Sequence, residues 1–155
     1  MGVLHEMRHK AEDASTPGTV GYVGAAFLPD GDYLWAREHQ LTELLPADWM
    51  PAAGILESLG SPPRLTLLGT LVRHGRRTRA DLQEALGGDG AETTSGQLYH
   101  HLRALQNAGL IVQRRRGEYE LAAVAVIPLL TIVATALNLA TDPPIGPPIG
   151  PPIEE

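Results

Sequence analysis

The chain has 155 residues, is 43% hydrophobic and contains no cysteine, so it can form one domain with appendages, while disulfides, thiolate metal ligands and cysteine nucleophiles are excluded. Its net charge of −6 does not exclude a nucleic-acid partner. Salt screens charges that lie more than about 8–10 Å away at cellular salt, so a locally basic segment can bind phosphate in an acidic chain. No basic stretch followed by an apolar one opens the sequence, which predicts a cytoplasmic protein.

Residues 1–16 are polar and show no hydrophobic periodicity, which predicts a flexible arm. They contain His5-Glu6-Met7-Arg8-His9, an H-E-x-x-H pattern that in a buried helix binds zinc through both histidines and uses the glutamate as general base. Glu12 and Ser15 stand where the extended form of this motif has glycine and histidine. We interpret the match as accidental and predict no catalytic residue, no metal site and no cofactor.

Residues 17–45 predict a β-hairpin followed by a short helix. Valine and aromatic residues lie on both sides of Pro29-Asp30-Gly31, in which proline presets φ and glycine accepts a positive φ. This pattern predicts pairing of residues 19–28 with residues 32–38. A lone hairpin is marginal in water, so we expect it to pack on another part of the protein.

Residues 46–121 carry successive helix start and stop signals. Gly60 ends a first helix, and Ser61 begins a second one that has prolines in its first turn and leucines at positions 65, 68 and 71. Thr78 with Asp81 predicts the start of a third.

The segment after these helices predicts a further helix and a basic hairpin. Thr94 and Gln97 form a T-x-x-Q capping box, a leucine stripe follows at positions 98, 102 and 105, and Asn107-Ala108-Gly109 ends the helix. Two short strands then surround Arg116-Gly117. Helices, a turn, a second helix and a hairpin together predict a winged helix-turn-helix, whose second helix lies in the DNA major groove and whose hairpin reaches the backbone or minor groove.

The side chains off the leucine stripe suit contact with DNA. Nine of the twelve basic residues lie between residues 61 and 118, where only five acids occur, and arginine binds phosphate and guanine edges bidentately. Gln97 can pair with adenine, Arg103 with guanine or phosphate, and Gly96 would let the backbone approach DNA closely. The predicted DNA-binding residues are Thr94, Ser95, Gly96, Gln97, Tyr99, His100, Arg103, Arg114, Arg115 and Arg116. We expect His101, beside the stripe, to pack rather than to contact a base.

From about residue 62 to residue 121, and most closely at TSGQLYHHLRALQNAGLI, the sequence resembles the ArsR-like winged-helix repressors. The resemblance implies a homodimer that binds a palindromic operator and often releases it when an effector binds. Tyr99 departs from the small residue usual in that family. Metal sensing at the family's sites is excluded, because residues 78–82 lack cysteine and residues 121–140 lack histidine and carboxylate. A small-molecule effector, a protein effector or no effector remain open.

Residues 121–141 carry no charge, which meets the length rule for a membrane span. Their alanine-rich composition and the acidic flank at Glu118 and Glu120 instead favour a dimerisation helix over residues 122–141. The predicted dimer contacts are Leu129, Leu130, Ile132, Val133 and Leu137. We therefore expect no membrane partner.

Residues 142–155 repeat PPIG and predict an extended, polyproline-like tail, because proline lacks the backbone donor that helices and sheets need. The tail is either solvated or a docking peptide that presents Ile145, Ile149 and Ile153 at regular intervals. Both interpretations remain open.

The sequence as a whole predicts a mainly α protein with small β-sheets: a winged helix-turn-helix with an N-terminal hairpin and a C-terminal dimerisation helix. The predicted function is that of a homodimeric, sequence-specific transcriptional regulator without catalysis, a repressor that responds to a non-metal signal. The alternative is a protein-interaction or assembly module that uses the hairpin and the Pro-rich tail and binds no operator.

Overall fold

The structure, a computed structural model, describes residues 2–13, 17–87 and 93–141. Its helices are α1 (Gly2–Asp13), α2 (Leu41–Leu44), α3 (Met50–Leu59), α4 (Pro62–His74), α5 (Arg79–Gly87), α6 (Ser95–Asn107) and α7 (Val126–Ala140). Its strands are β1 (Thr19–Leu28), β2 (Gly31–Gln40), β3 (Arg77–Thr78), β4 (Ile111–Arg115) and β5 (Glu118–Leu121). The predicted class, mainly α with small antiparallel sheets, is confirmed.

The described chain divides into two compact units. The first comprises residues 2–13, 17–24, 35–48 and 130–141, and the second comprises residues 25–34, 49–87 and 93–129. The second unit contains the order α4, β3, α5, α6, β4, β5, which is the topology of a winged helix-turn-helix.

The second unit is built around a leucine core from three helices. Leu67, Leu68, Leu71, Leu82, Leu98, Leu102 and Leu105 are each no more than 2% exposed. The stripe predicted for α6 is thereby confirmed, but the one predicted for α4 is partly wrong, because Leu65 is 42% exposed. At 3.6 residues per turn the buried face of α4 passes through positions 67, 68 and 71, and position 65 points away from it.

A three-stranded antiparallel sheet lies beside these helices in the order β3-β5-β4. Arg77 is opposite Tyr119 and Thr78 is opposite Glu118. The strand β3, which directly precedes α5, therefore pairs with the hairpin formed by β4 and β5. We call residues 111–121 the wing. Gly117 has a φ of +80° in the turn of the wing, which explains the glycine there.

In the first unit, residues 2–13 form the helix α1. The sequence analysis predicts a flexible arm there, and the structure corrects this prediction. Arg8 Nε and Glu12 Oε1 are 2.8 Å apart, an i,i+4 ion pair that favours helix. His5 and His9 therefore share a helix face, with ring centroids 4.5 Å apart. Within the described residues no three His, Cys, Asp or Glu side chains are grouped to hold a metal ion.

The β1–β2 pair forms a two-stranded sheet over residues 19–28 and 31–40, so the predicted hairpin is confirmed. Side chains along most of β1 and the first half of β2 alternate between half-buried and exposed, as expected when one face of a hairpin is covered.

The uncharged C-terminal stretch begins with a 3₁₀ turn at Ala123–Ala125 and continues as α7. Val126, Ile127 and Leu129 are at most 4% exposed, while the side chains from residue 134 to residue 141 are all exposed. Among the described residues, the stretch 123–140 has the length and apolar composition of a membrane span, and 17% of it is buried. A core or interface helix has the same composition. The predicted tail, residues 142–155, lies outside the described residues.

Candidate nucleic-acid interface

The start of α6 is organised by the capping box that the sequence predicts. Thr94 Oγ1 accepts a hydrogen bond from the Gln97 backbone N–H at 3.2 Å, and Gln97 Oε1 accepts one from the Thr94 backbone N–H at 2.8 Å. The carbonyl oxygen of the Gln97 side chain is therefore engaged within the protein. Its Nε2 remains the group with which Gln97 can contact a base.

The side of α6 away from the leucine core is exposed to solvent. We call this side the reading face; it consists of Ser95, Gly96, Gln97, Tyr99, His100 and Arg103. The guanidinium carbon of Arg103 lies 5.9 Å from the centroid of the Tyr99 ring, and Tyr99 is 53% exposed. A cation beside an aromatic face is attracted to it, so Tyr99 favours one orientation of Arg103.

Gly96 is not required by packing within the protein. A Cβ built on Gly96 would have only Thr94 Oγ1 near it, at 3.9 Å. Gly in a helix is less favourable than Ala. Neither packing among the described residues nor helix stability therefore explains why position 96 is a glycine.

His101 lies on α6 beside the leucine stripe and is half-buried, which agrees with the expectation that it packs; that it contacts no base stays a prediction. Its ring is half-buried, and Nδ1 is buried without a hydrogen-bond partner among the described residues. Burial lowers the pKa of His101, and the nearby charges of Arg64 and His100 lower the pKa further. The lowered pKa favours the neutral form of His101, which attracts phosphate less than the charged form does.

In the wing, Arg114 is directed toward the protein itself. The pairing of β4 with β5 shifts register between Gln113 and Arg115, so Arg114 is the extra residue of a β-bulge. Its Nε donates a hydrogen bond to Glu120 Oε1. The prediction of Arg114 as a DNA contact did not include this pairing, and its guanidinium is available to DNA only in part.

Glu120 is the centre of a small ionic cluster. It is 8% exposed, and its Oε2 accepts hydrogen bonds from Arg76 Nε at 3.1 Å and Nη2 at 3.0 Å. Glu118 lies 4.0 Å from Arg76 Nη1. Burial raises the pKa of Glu120, but the hydrogen bonds and charges of Arg114 and Arg76 outweigh burial and hold the pKa below its ordinary value. Glu120 therefore connects the wing to the short segment between α4 and β3, in which Arg76 lies.

The last two arginines of the wing remain exposed. Arg115 and Arg116 flank the turn, and within the described part of the chain neither forms an ion pair. This places two guanidinium groups at the end of the wing.

Arg79, which the sequence analysis did not single out, contacts both predicted DNA-binding elements. Its backbone N–H donates to the Gly117 carbonyl in the wing at 2.8 Å. Its Nη2 donates to the Ser95 carbonyl at the start of α6 at 3.1 Å. No local pattern predicts such contacts, because the bonded residues are 38 and 16 positions away in sequence.

The chain matches no protein-family model and no curated protein. Among solved structures it is similar to the solution structure of a homodimeric winged helix-turn-helix DNA-binding domain (fragment 1–100) from Mycobacterium bovis, described as a possible ArsR-family transcriptional regulator. The identity is 25%, the match covers 61% of this chain and 84% of that chain, and the TM-score is 0.43. The winged-helix assignment rests on the chain's own topology.

We predict that Glu120→Gln lowers the free energy of unfolding by about 1–2 kcal/mol at neutral pH, because it removes charge-assisted hydrogen bonds to Arg76 and Arg114, whose other atoms are partly hydrated. The pKa of Glu120 is lower in the folded state, so its contribution is complete at neutral pH. It declines as the pH falls below about 4.3, the ordinary value for glutamate, and is lost below the folded-state pKa.

Urea unfolding between pH 3 and pH 7 measures this effect. Glu118→Gln is the matched control, because Glu118 contacts Arg76 only at 4.0 Å and is 33% exposed. A difference between wild type and Glu120→Gln that stays constant down to pH 3, or an equal loss in both variants, would contradict the prediction.

Proposed function

We propose that the chain is a homodimeric, sequence-specific DNA-binding regulator of transcription, without catalytic activity. The observation that carries this proposal is the combination of the exposed reading face of α6, whose opposite side is held in the leucine core, with exposed Arg115 and Arg116 at the end of the wing. Winged helices bind duplex DNA with two elements: a helix whose inner side packs in the core and whose outer side is exposed, and a basic hairpin beside that helix.

In this proposal α6 enters the major groove with its N-terminal residues toward the bases. Arg103 contacts guanine bidentately, and Gln97 donates from Nε2 to a base acceptor. Thr94, Ser95 and the first N–H groups of α6 lie near a phosphate, because a helix N-terminus attracts anions. Tyr99 and His100 contact base edges or sugars beside Arg103. Arg115 and Arg116 bind backbone phosphate, and Arg114 contributes with the donors that Glu120 leaves free.

The dimer is proposed to form through the exposed part of α7. Leu137 is 44% exposed and Leu139 is 86% exposed, whereas Leu130, Ile132 and Val133 are half-buried. Leu129 is only 2% exposed and lies in the core of its own subunit, so we remove it from the proposed contact surface. Two-fold symmetry would place two copies of α6 on the half-sites of a palindromic operator, about 34–36 Å apart along the DNA.

The finer role is that of an ArsR-like cytoplasmic repressor whose operator affinity depends on a small molecule or a partner protein. The absence of cysteine excludes a thiolate metal sensor. Occupation of the operator by the dimer would prevent transcription, and release would follow when the effector favours a different subunit arrangement.

A second candidate function is a protein-interaction module. Phe27 and Leu34, near the tip of the hairpin, are 75% and 74% exposed. Exposed apolar side chains on a strand mark contact with other proteins when they form a patch. Salt dependence separates the two functions, because binding through several phosphates weakens steeply with salt.

We predict that duplex selection from random DNA yields a preferred operator, and that Arg115→Ala with Arg116→Ala weakens binding to the operator and to random duplexes by the same factor. The slope of log affinity against log salt should fall by about 0.9 per lost phosphate contact. Arg73→Ala removes an exposed charge from α4 and is the control. A wild-type protein that binds no duplex at low salt would reject the DNA-binding function and favour the interaction module.

We predict that Gly96→Ala stabilises the free protein by about 0.5–1 kcal/mol, because alanine is the better helix residue and the space for its methyl group is open. Its affinity for the selected operator should nevertheless fall about tenfold or more, because the added methyl group would separate the helix backbone from DNA.

Gly54→Ala in α3 is the matched control, since a Cβ there also meets nothing within 4 Å. It should stabilise the protein to a similar extent and leave operator affinity unchanged. Thermal unfolding and fluorescence anisotropy measure the two quantities. Unchanged operator affinity in Gly96→Ala would show that α6 does not approach DNA at this position.

We predict that the wild-type protein is dimeric without detergent and that Leu137→Asp shifts it to the monomer. Each leucine buried in an interface contributes about 1.5–3 kcal/mol, and an unpaired charge there is unfavourable. Asn138→Asp, on the neighbouring exposed position, adds the same charge and should remain dimeric. Sedimentation velocity measures the three proteins. A wild type that sediments with membranes and needs detergent would replace the dimer helix with a membrane anchor.

A further inference from the structure

Arg79 occupies a position in α5 where its charge is not favourable for the helix. It is the first residue of α5, and a cation near a helix N-terminus opposes the helix dipole. The start of α5 is instead stabilised by Thr78 and Asp81: the Asp81 N–H donates to Thr78 Oγ1 at 3.2 Å, and the Thr78 N–H donates to Asp81 Oδ2 at 2.9 Å. Helix stability therefore does not explain an arginine at position 79.

The two contacts of Arg79 reach the two elements that the proposed function places on DNA. The backbone contact to Gly117 continues the β3–β5 pairing to the turn of the wing. Because this contact uses only the backbone, the side chain is free to extend to α6, where it donates to the Ser95 carbonyl at 3.1 Å. One residue thus links the wing turn to the first residue of α6.

A second side chain of α5 holds the same end of α6. Gln83 Nε2 donates to the Thr93 carbonyl, one residue before the capping box. Gln83 lies four positions after Arg79, on the adjacent turn of α5, so the two side chains contact the start of α6 from one helix face. Arg79 and Gln83 thereby restrain the segment 93–95 from α5, in addition to the leucine core behind α6.

We propose that Arg79 is a positioning residue that sets the orientation of the α6 N-terminus relative to the wing and thereby determines how strongly the protein discriminates its operator from other duplexes. The proposal rests on the proposed DNA-binding function. Base-edge contacts need geometry accurate to about 0.5 Å, whereas phosphate contacts tolerate more displacement. Loss of the Arg79 side chain should therefore affect specific binding more than non-specific binding.

The alternative role for Arg79 is that of one more exposed positive charge near phosphate. That role predicts an equal loss of affinity for all duplexes, together with a smaller salt slope. The ratio of operator affinity to random-duplex affinity distinguishes the two roles, because a simple charge contact leaves this ratio unchanged.

The experiment compares Arg79→Ala and Arg79→Lys with Arg77→Ala in the full-length protein. Arg77 is the matched control: it is two residues away and carries the same charge, and among the described residues its Nη1 donates to the neighbouring Arg76 carbonyl, at 3.2 Å, and not to α6. We expect Arg79→Ala to lower the operator-to-random affinity ratio about three- to tenfold, the range that corresponds to the loss of one hydrogen bond that positions α6. Arg77→Ala should leave the ratio unchanged, and Arg79→Lys, which keeps one charged donor, should give an intermediate ratio.

A measurement without DNA tests the positioning role directly. We expect ¹⁵N relaxation of the free protein to show increased fast motion of residues 93–97 in Arg79→Ala and unchanged motion in Arg77→Ala. An unchanged affinity ratio together with unchanged relaxation would overturn the proposal. If wild type prefers no duplex, the proposed function fails, and the relaxation measurement alone decides whether Arg79 positions α6.

Discussion

The carboxylate of Glu120 is the interaction on which the arrangement of the wing depends. It is 8% exposed, and a charge at that depth is tolerated only because the guanidinium groups of Arg76 and Arg114 supply hydrogen bonds and opposite charge. Arg76 lies in the segment between α4 and β3, and Arg114 lies on the opposite strand of the wing. A shift of the wing along β3 would break the contact with Arg76, and opening of the wing at β4 would break the contact with Arg114, so either movement removes one of the two partners of a buried carboxylate.

Much of the fold was predictable because its signals are local in sequence. The capping box at Thr94 and Gln97, the leucine stripe of α6 and the glycine of the wing turn each depend on residues within one or two turns of one another. The features that were missed depend on distant residues. The pairing of Arg76 with Glu120 joins positions 44 residues apart, and Arg79 bonds to Ser95 and Gly117. The bulge at Arg114 adds one residue to β4, and the hydrophobic pattern of the sequence contains no signal that marks its position.

Gln97 shows how two roles compete at one side chain. Its Oε1 completes the capping box, while bidentate contact with adenine uses both Oε1 and Nε2. A contact through Nε2 alone keeps the helix cap and gives less discrimination between bases. The guanidinium of Arg103 lies beside Tyr99 and has no carboxylate partner among the described ion pairs. Under the proposed function, we therefore expect Arg103 to determine sequence preference more strongly than Gln97.

Pairing within the chain reduces the number of arginines that are available to bind DNA. The basic segment holds nine arginines, but Arg76 and Arg114 are paired with Glu120, and Arg79 is directed to the Ser95 carbonyl. In α6 and the wing, Arg103, Arg115 and Arg116 are exposed and have no ion-pair partner among the described residues, whereas Arg114 is paired although its side chain is 63% exposed. Under the proposed function, fewer arginines are therefore available to phosphate than the nine in the sequence, which lowers the expected non-specific affinity for DNA at cellular salt. Under the proposed function, base contacts by two copies of α6 then have to supply more of the operator affinity, which gives the proposed dimer surface of α7 a role beside that of the reading face.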